Sequence, residues 1–163
     1  MTQRNRQYLW AAIMIALGAM TVLPYRTLAQ DGGDDGAGPL ILGLPDLVIE
    51  SITVTNTASL GAQINISDVT SNQTTGATRG SFYDSIYITT DTNNLTANNV
   101  LVSHLITQAM GANASVPWSG TITIPQGTPL GTNFISDVAD STGIIKETNP
   151  NNNTNSVMII ITP

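Results

Sequence analysis

From Leu47 to Thr162 the chain alternates apolar and polar residues in short runs, separated by clusters of Gly, Pro, Asn, Ser and Asp. A period of two with turn residues at each end predicts strands, and nothing in this region has the period of a helix. The first strand runs from Leu47 to Thr55. Leu47 and Ile49 share one parity, Ile52 and Val54 the other, which predicts a bulge near Glu50-Ser51. A second strand starts at Gly61 with Ile64 and Ile66 inward. The polar, Thr- and Gly-rich stretch 71–80 is a loop. Ser81 to Thr90 is a clear strand, with Phe82, Asp84, Ile86 and Ile88 on one face. Asp84 stands on the apolar side, so it needs a partner or a place at the sheet's end. Val100 to Thr107 is a further strand. Ser115 to Ile124 places Val116, Trp118, Ile122 and Ile124 together, with Trp118 as a core anchor.

The chain closes on a hairpin. Phe134 to Ala139 is one strand, Asp140-Ser141-Thr142-Gly143 a turn, and Ile144-Ile145 the restart of an extended segment. Glu147 to Asn155, with Pro150 among the Asn residues, is a loop. Ser156 to Thr162 is the last strand, with Val157, Ile159 and Ile161 on one face and Met158 and Ile160 on the other. About seven strands at this spacing predict an all-β antiparallel sandwich.

The N-terminal third reads differently. Arg4 and Arg6 precede an apolar run from Tyr8 to Leu23, and Thr27-Leu28-Ala29 supplies small residues for a peptidase. Residues 1–29 are therefore expected to be a secretory signal peptide cleaved after Ala29. The run is short for a membrane span, which needs roughly 20 residues. Residues 30–44 divide into an acidic Gly-rich linker and an apolar segment containing Leu40, Ile41, Leu42 and Leu44. That segment either extends the first strand of its own domain or donates a strand to a neighbouring copy. The apolar final strand, through Val157, Ile159 and Ile161, is a second place for such pairing. The domain proper is 45–163.

Composition then narrows the function. The net charge is -6, and Arg4, Arg6 and Arg26 belong to the leader. Without them two basic residues face eleven acids, a net of -9. Such a surface repels phosphate backbones and anionic lipid, so nucleic acid is not an expected partner, nor is a membrane once the leader is removed. There is no Cys, hence no disulfide and no thiolate metal site. His104 is the one His, and it lies in a strand away from any Gly-x-Ser-x-Gly elbow, so no enzyme is expected. No cofactor is expected, with calcium as the one ion to consider, because it takes oxygen ligands from loops. Asp91, followed by Asn93 and Asn94, has the start of a calcium loop. Asp137, Asp140 and Glu147 form a second acidic set. The competing role for Asp140 and the Asn run is bracing the hairpin through backbone bonds.

Three motifs resemble the CARDB domain, the cell adhesion related domain found in bacteria. Asp140, Glu147-Thr148-Asn149 and Asn152-Asn153 look like its closing motif. Pro45-Asp46-Leu47-Val48-Ile49 is similar to its opening, and Ile86-Tyr87-Ile88-Thr89-Thr90-Asp91 to an internal strand and turn. Pro150 stands where that family has a second acidic residue. The resemblance implies an immunoglobulin-like sandwich and a secreted or cell-surface adhesion or binding module. Its partners would be other cell-surface proteins, glycans or copies of itself. The alternative is a subunit of an extracellular fibre, assembled by strand donation from residues 39–44 or the C-terminal strand.

Overall fold

The computed structural model describes residues 43–163. The expected signal peptide, the acidic linker and Leu40, Ile41 and Leu42 lie outside the described residues. Eight strands form two sheets: β1 (Leu47–Val54), β2 (Thr57–Ser59), β3 (Gln63–Asn72), β4 (Phe82–Thr89), β5 (Val100–Ile106), β6 (Ser115–Thr123), β7 (Gly131–Val138) and β8 (Thr154–Thr162). One sheet has the order β1-β3-β6, the other β2-β8-β7-β4-β5. All pairings are antiparallel except the short β2–β8 contact. This is an all-β, immunoglobulin-like sandwich. No helix among the described residues is long and apolar enough to cross a membrane.

The alternation explains the layers. Ile66, Ile86, Ile122, Ile124, Ile135, Ile159 and Ile161 meet between the sheets as one apolar cluster. Leu47, Ile49, Phe82, Ile106, Met110 and Ala139 form a second. The change of parity in β1 is real, for its register against β3 shifts between Ile49 and Ser51. The extra residue lets both halves of the strand turn apolar side chains inward.

Two expectations need correction. Residues 57–59 are a strand, because β2 pairs in parallel with the end of β8, opposite Ile160, Ile161 and Thr162. Ile144-Ile145 is not extended ladder. The Asp140 carboxylate accepts hydrogen bonds from both of their backbone amides, at 3.2 and 2.7 Å, and so curls the chain. The last strand has β2 beside only its final three residues, Ile160 to Thr162, so its outer edge is paired there alone. β8 runs beside β7 along its whole length and beside β2 at its end. Ile159 and Ile161 are buried in the chain's own core and Val157 is half-buried against it. These three side chains are thus committed to the chain's own core, while the backbone edge of β8 ahead of Ile160 has no strand paired beside it.

Candidate functional site

The acidic residues named from the sequence occupy three separate environments. Asp91 is exposed, and its Oδ1 accepts from the backbone N–H and side-chain amide of Asn93, an Asx turn with a single carboxylate. Asp140 and Glu147 sit in the connection between β7 and β8, where both act on the backbone. Asp140 has φ 44°, a left-handed conformation that Asp tolerates, and its carboxylate holds the amides of Ile144 and Ile145. Glu147 accepts from the Leu47 N–H at 2.6 Å and from the Asn153 side-chain amide at 2.7 Å. Burial raises its pKa, and these two hydrogen bonds partly offset that. Asn153 also donates to the Ala139 carbonyl, and Asn152 to Asp46. The motif that carries the resemblance is therefore a brace between the hairpin and the first strand.

Asp137 is not in that set. It lies on β7 between Ile135 and Ala139, pointing into the sandwich, and is fully buried. There it meets residues that the sequence did not put beside it. Asp84 and His104 are directly paired across β4 and β5. Asp137 is opposite Ile86, one step along β4 from Asp84 on the same face. Asp68 and Trp118 are directly paired across β3 and β6 on the facing sheet. The His104 and Trp118 rings stack across the interior, with centroids 4.3 Å apart and planes 7° from parallel. His104 Nε2 is 3.9 Å from Asp68 Oδ1 and 3.7 Å from Asp84 Oδ2.

These side chains form a polar layer between the two apolar clusters. On β4, Asp84 separates Phe82 from Ile86; on β7, Asp137 separates Ala139 from Ile135. Only Asp84 is satisfied: Thr70 Oγ1 donates to Oδ2 at 2.6 Å and the Asp140 N–H to Oδ1 at 2.9 Å. Both ring nitrogens of His104 are buried without a hydrogen-bond partner, and the carboxyls of Asp68 and Asp137 are buried with no side-chain partner but each other. Buried groups of this kind are rare, because each loses its hydration without replacement.

The interior resolves the charge in part by protonation. Burial first, then the negative charges of Asp68 and Asp84, push Asp137 up to about 9. Burial pushes Asp84 up to about 6, opposed by the hydrogen bonds from Thr70 and Asp140. Burial also raises Asp68 and lowers His104 to about 4. Near neutral pH the imidazole is therefore uncharged, and Asp137 carries a proton that it can donate to Asp68. The separations from His104 are accordingly not ion pairs. Among the described residues, no group of three or more His, Cys, Asp or Glu side chains is placed to hold a metal ion.

A second feature lies at the end of the sandwich where the chain enters the domain. A cleft of about 550 Å³ is lined by Leu44, Pro45, Ala77, Arg79, Ile144 and Lys146, among others. Ile144 is 63% exposed and Leu44 40%. Arg79 and Lys146 are the only Lys or Arg residues in 43–163. The Leu44 carbonyl, by contrast, is fixed, accepting from the hydroxyls of Thr74 and Thr148.

Asp68 is the residue that sequence reasoning missed. It shares the parity of Ile64 and Ile66, so it belongs to the inward face of β3, the same signal that singled out Asp84 on β4. His104 was legible only as a strand residue, because its partners come from three other strands.

No family model matches the sequence, and no curated protein matches it. The structure is similar to the CARDB domain of a Pyrococcus furiosus protein, whose crystal structure is a complex with di-metal ions. That chain is 15% identical over 72% of this chain and 94% of its own, with a TM-score of 0.55. The solution structure of the same domain gives 15% identity, 74% and 97% coverage and a TM-score of 0.56. Residues 272–376 of a Methanosarcina acetivorans protein, described as a candidate cell surface protein, are 17% identical over 73% of this chain and 93% of their own, with a TM-score of 0.52. The chain thus has the fold of the CARDB domains.

Proposed function

We propose that this protein is a secreted or cell-surface, non-enzymatic binding module whose partner is an acidic glycan or a carboxylate-rich surface protein. The observation that carries the reading is the cleft at the entry end of the domain. It joins exposed apolar side chains, Leu44 and Ile144, to the two basic residues of an otherwise acidic domain. An apolar surface beside a few placed charges is the usual composition of a recognition site, and both Arg79 and Lys146 are exposed at its rim. The similarity to a candidate cell surface protein agrees with such a location. His104 has no hydroxyl or thiol in hydrogen-bond contact, which fits a role other than nucleophile activation.

The test is binding of the purified protein to arrays of acidic and neutral glycans and to isolated cell envelopes. Binding should favour acidic ligands, weaken as salt rises, and fall at least tenfold in the Arg79→Ala/Lys146→Ala double variant. Undiminished binding by that variant would remove the cleft from the account. The fibre reading rests on residues 39–44 or on the C-terminal strand, whose outer edge is paired with β2 only at Ile160 to Thr162.

A further inference from the structure

We propose that the polar layer inside the sandwich binds one divalent transition-metal cation of the zinc class, with His104 Nε2 and the carboxylates of Asp68 and Asp84 as its protein ligands. Both ring nitrogens of His104 are buried without a hydrogen-bond partner, and the Asp68 and Asp137 carboxyls have no side-chain partner but each other. They do not face solvent, for the Asp68 side chain is 0% and that of His104 7% exposed. The imidazole is aimed at two carboxylates that it does not touch. Its Nε2 stands 3.9 and 3.7 Å from the nearest oxygens of Asp68 and Asp84. Those gaps are too long for hydrogen bonds. They are close to the separation of two ligands on one ion: atoms bound at about 2.0–2.2 Å stand roughly 3.3–3.8 Å apart at angles from tetrahedral to trigonal.

Completing the site requires a rotation of Asp68 about its one side-chain hydrogen bond, the one it shares with Asp137. Asp84 needs to give up nothing, because a carboxylate oxygen that accepts from Thr70 keeps a second lone pair for an ion. Thr70 and the Asp140 N–H then orient that ligand, and the stack on Trp118 fixes the plane of the imidazole. The ligand set chooses the metal. Calcium and magnesium take oxygen, whereas an imidazole with carboxylates suits zinc and its neighbours. Two carboxylates and a neutral imidazole balance a dication, and Asp137 remains to donate a hydrogen bond to Asp68. A small cleft of about 110 Å³, lined by His104, Pro117 and Trp118 among others, opens on the imidazole from the side of β5 and β6.

The test uses the purified protein without a polyhistidine tag, stripped with chelator, dialysed against Zn²⁺ or Ca²⁺, and examined for retained metal and for Tm. One zinc per chain should be retained. Tm should rise by roughly 10 °C at a hundredfold excess over Kd, with no comparable rise from Ca²⁺. His104→Phe preserves the stack on Trp118 but cannot ligate, so retention and shift should both vanish. Should that variant fail to fold, Co²⁺ bound to the unaltered protein still reports, because a nitrogen-ligated ion of low coordination number absorbs more strongly in the visible than the aquo ion. The proposal is overturned by an unaltered protein that retains no ion, by calcium acting as well as zinc, by an aquo-like Co²⁺ spectrum, or by His104→Phe retaining zinc undiminished.

Discussion

The residue that departs furthest from its ordinary chemistry is Asp137. Held at about 9 by burial and by Asp68 and Asp84, it keeps in the folded state a proton that the unfolded chain releases near its ordinary value of 3.8. A carboxyl raised in this way contributes stability at low pH that is lost as pH climbs towards the folded value. Asp84, near 6, acts in the same sense only between about 4 and 6. His104, lowered to about 4, acts in the opposite sense between about 4 and 6.5, where the unfolded state binds the extra proton. Above pH 7 Asp137 acts alone. In chelator, the stability of the protein should therefore fall as pH rises from 7 to 9. Asp137→Asn, neutral at every pH and still a donor to Asp68, should flatten the slope. A denaturant-melt series in which both proteins have the same pH dependence would contradict this assignment. The sequence showed Asp84 as an exception on an apolar face. It did not show that Asp68 and Asp137 were exceptions on faces opposite and beside it, since facing sheets are not encoded in local alternation.

At the scale of elements, two small features position the large ones. Gly120 on β6 leaves room for the Trp118 indole: a Cβ there would stand 2.5 Å from its outer ring carbon. Gly120→Ala should push Trp118 off His104 and cost about 1–3 kcal/mol, an overpacking penalty read directly from Tm. The connection between β7 and β8 depends on Asn153, whose side-chain amide donates to the Ala139 carbonyl and to Glu147, while Glu147 holds the Leu47 N–H. Asn153→Ala should cost about 1–3 kcal/mol, because buried acceptors are left unpaired. Asn152→Ala, which removes one partly buried bond to Asp46, should cost less. Equal Tm values for the two variants would contradict that ranking. The strands of the sandwich were legible because each carries several alternating apolar residues. β2 was not, since three residues have no period to show and its parallel pairing depends on where β8 ends. Ile144-Ile145 misled for the converse reason: two β-branched residues look extended, yet one carboxylate captures both amides.

For the molecule as a whole, the opening and closing motifs meet in space. Asp46 accepts from the Asn152 amide and the Leu47 N–H donates to Glu147, so the two ends of the domain are fastened to each other. This is why a resemblance quoted from distant stretches of sequence corresponded to one fold. The binding surface was less legible. Arg79 comes from the loop before β4 and Lys146 from the loop before β8, and only folding sets them on one cleft beside Leu44. The calcium sets were read from spacing along the chain, which cannot show that Asp140 and Glu147 spend their oxygens on backbone amides while Asp137 turns inward. Between the two apolar clusters runs the polar layer, joining both sheets at Asp68, Asp84, His104 and Asp137. Its most direct test is a crystal of the zinc-loaded protein with diffraction recorded at the zinc absorption edge. An anomalous peak between His104 Nε2 and the carboxylates of Asp68 and Asp84 is the predicted result. Peaks confined to surface carboxylates such as Asp91 or Glu147, with the interior layer bare, would contradict it.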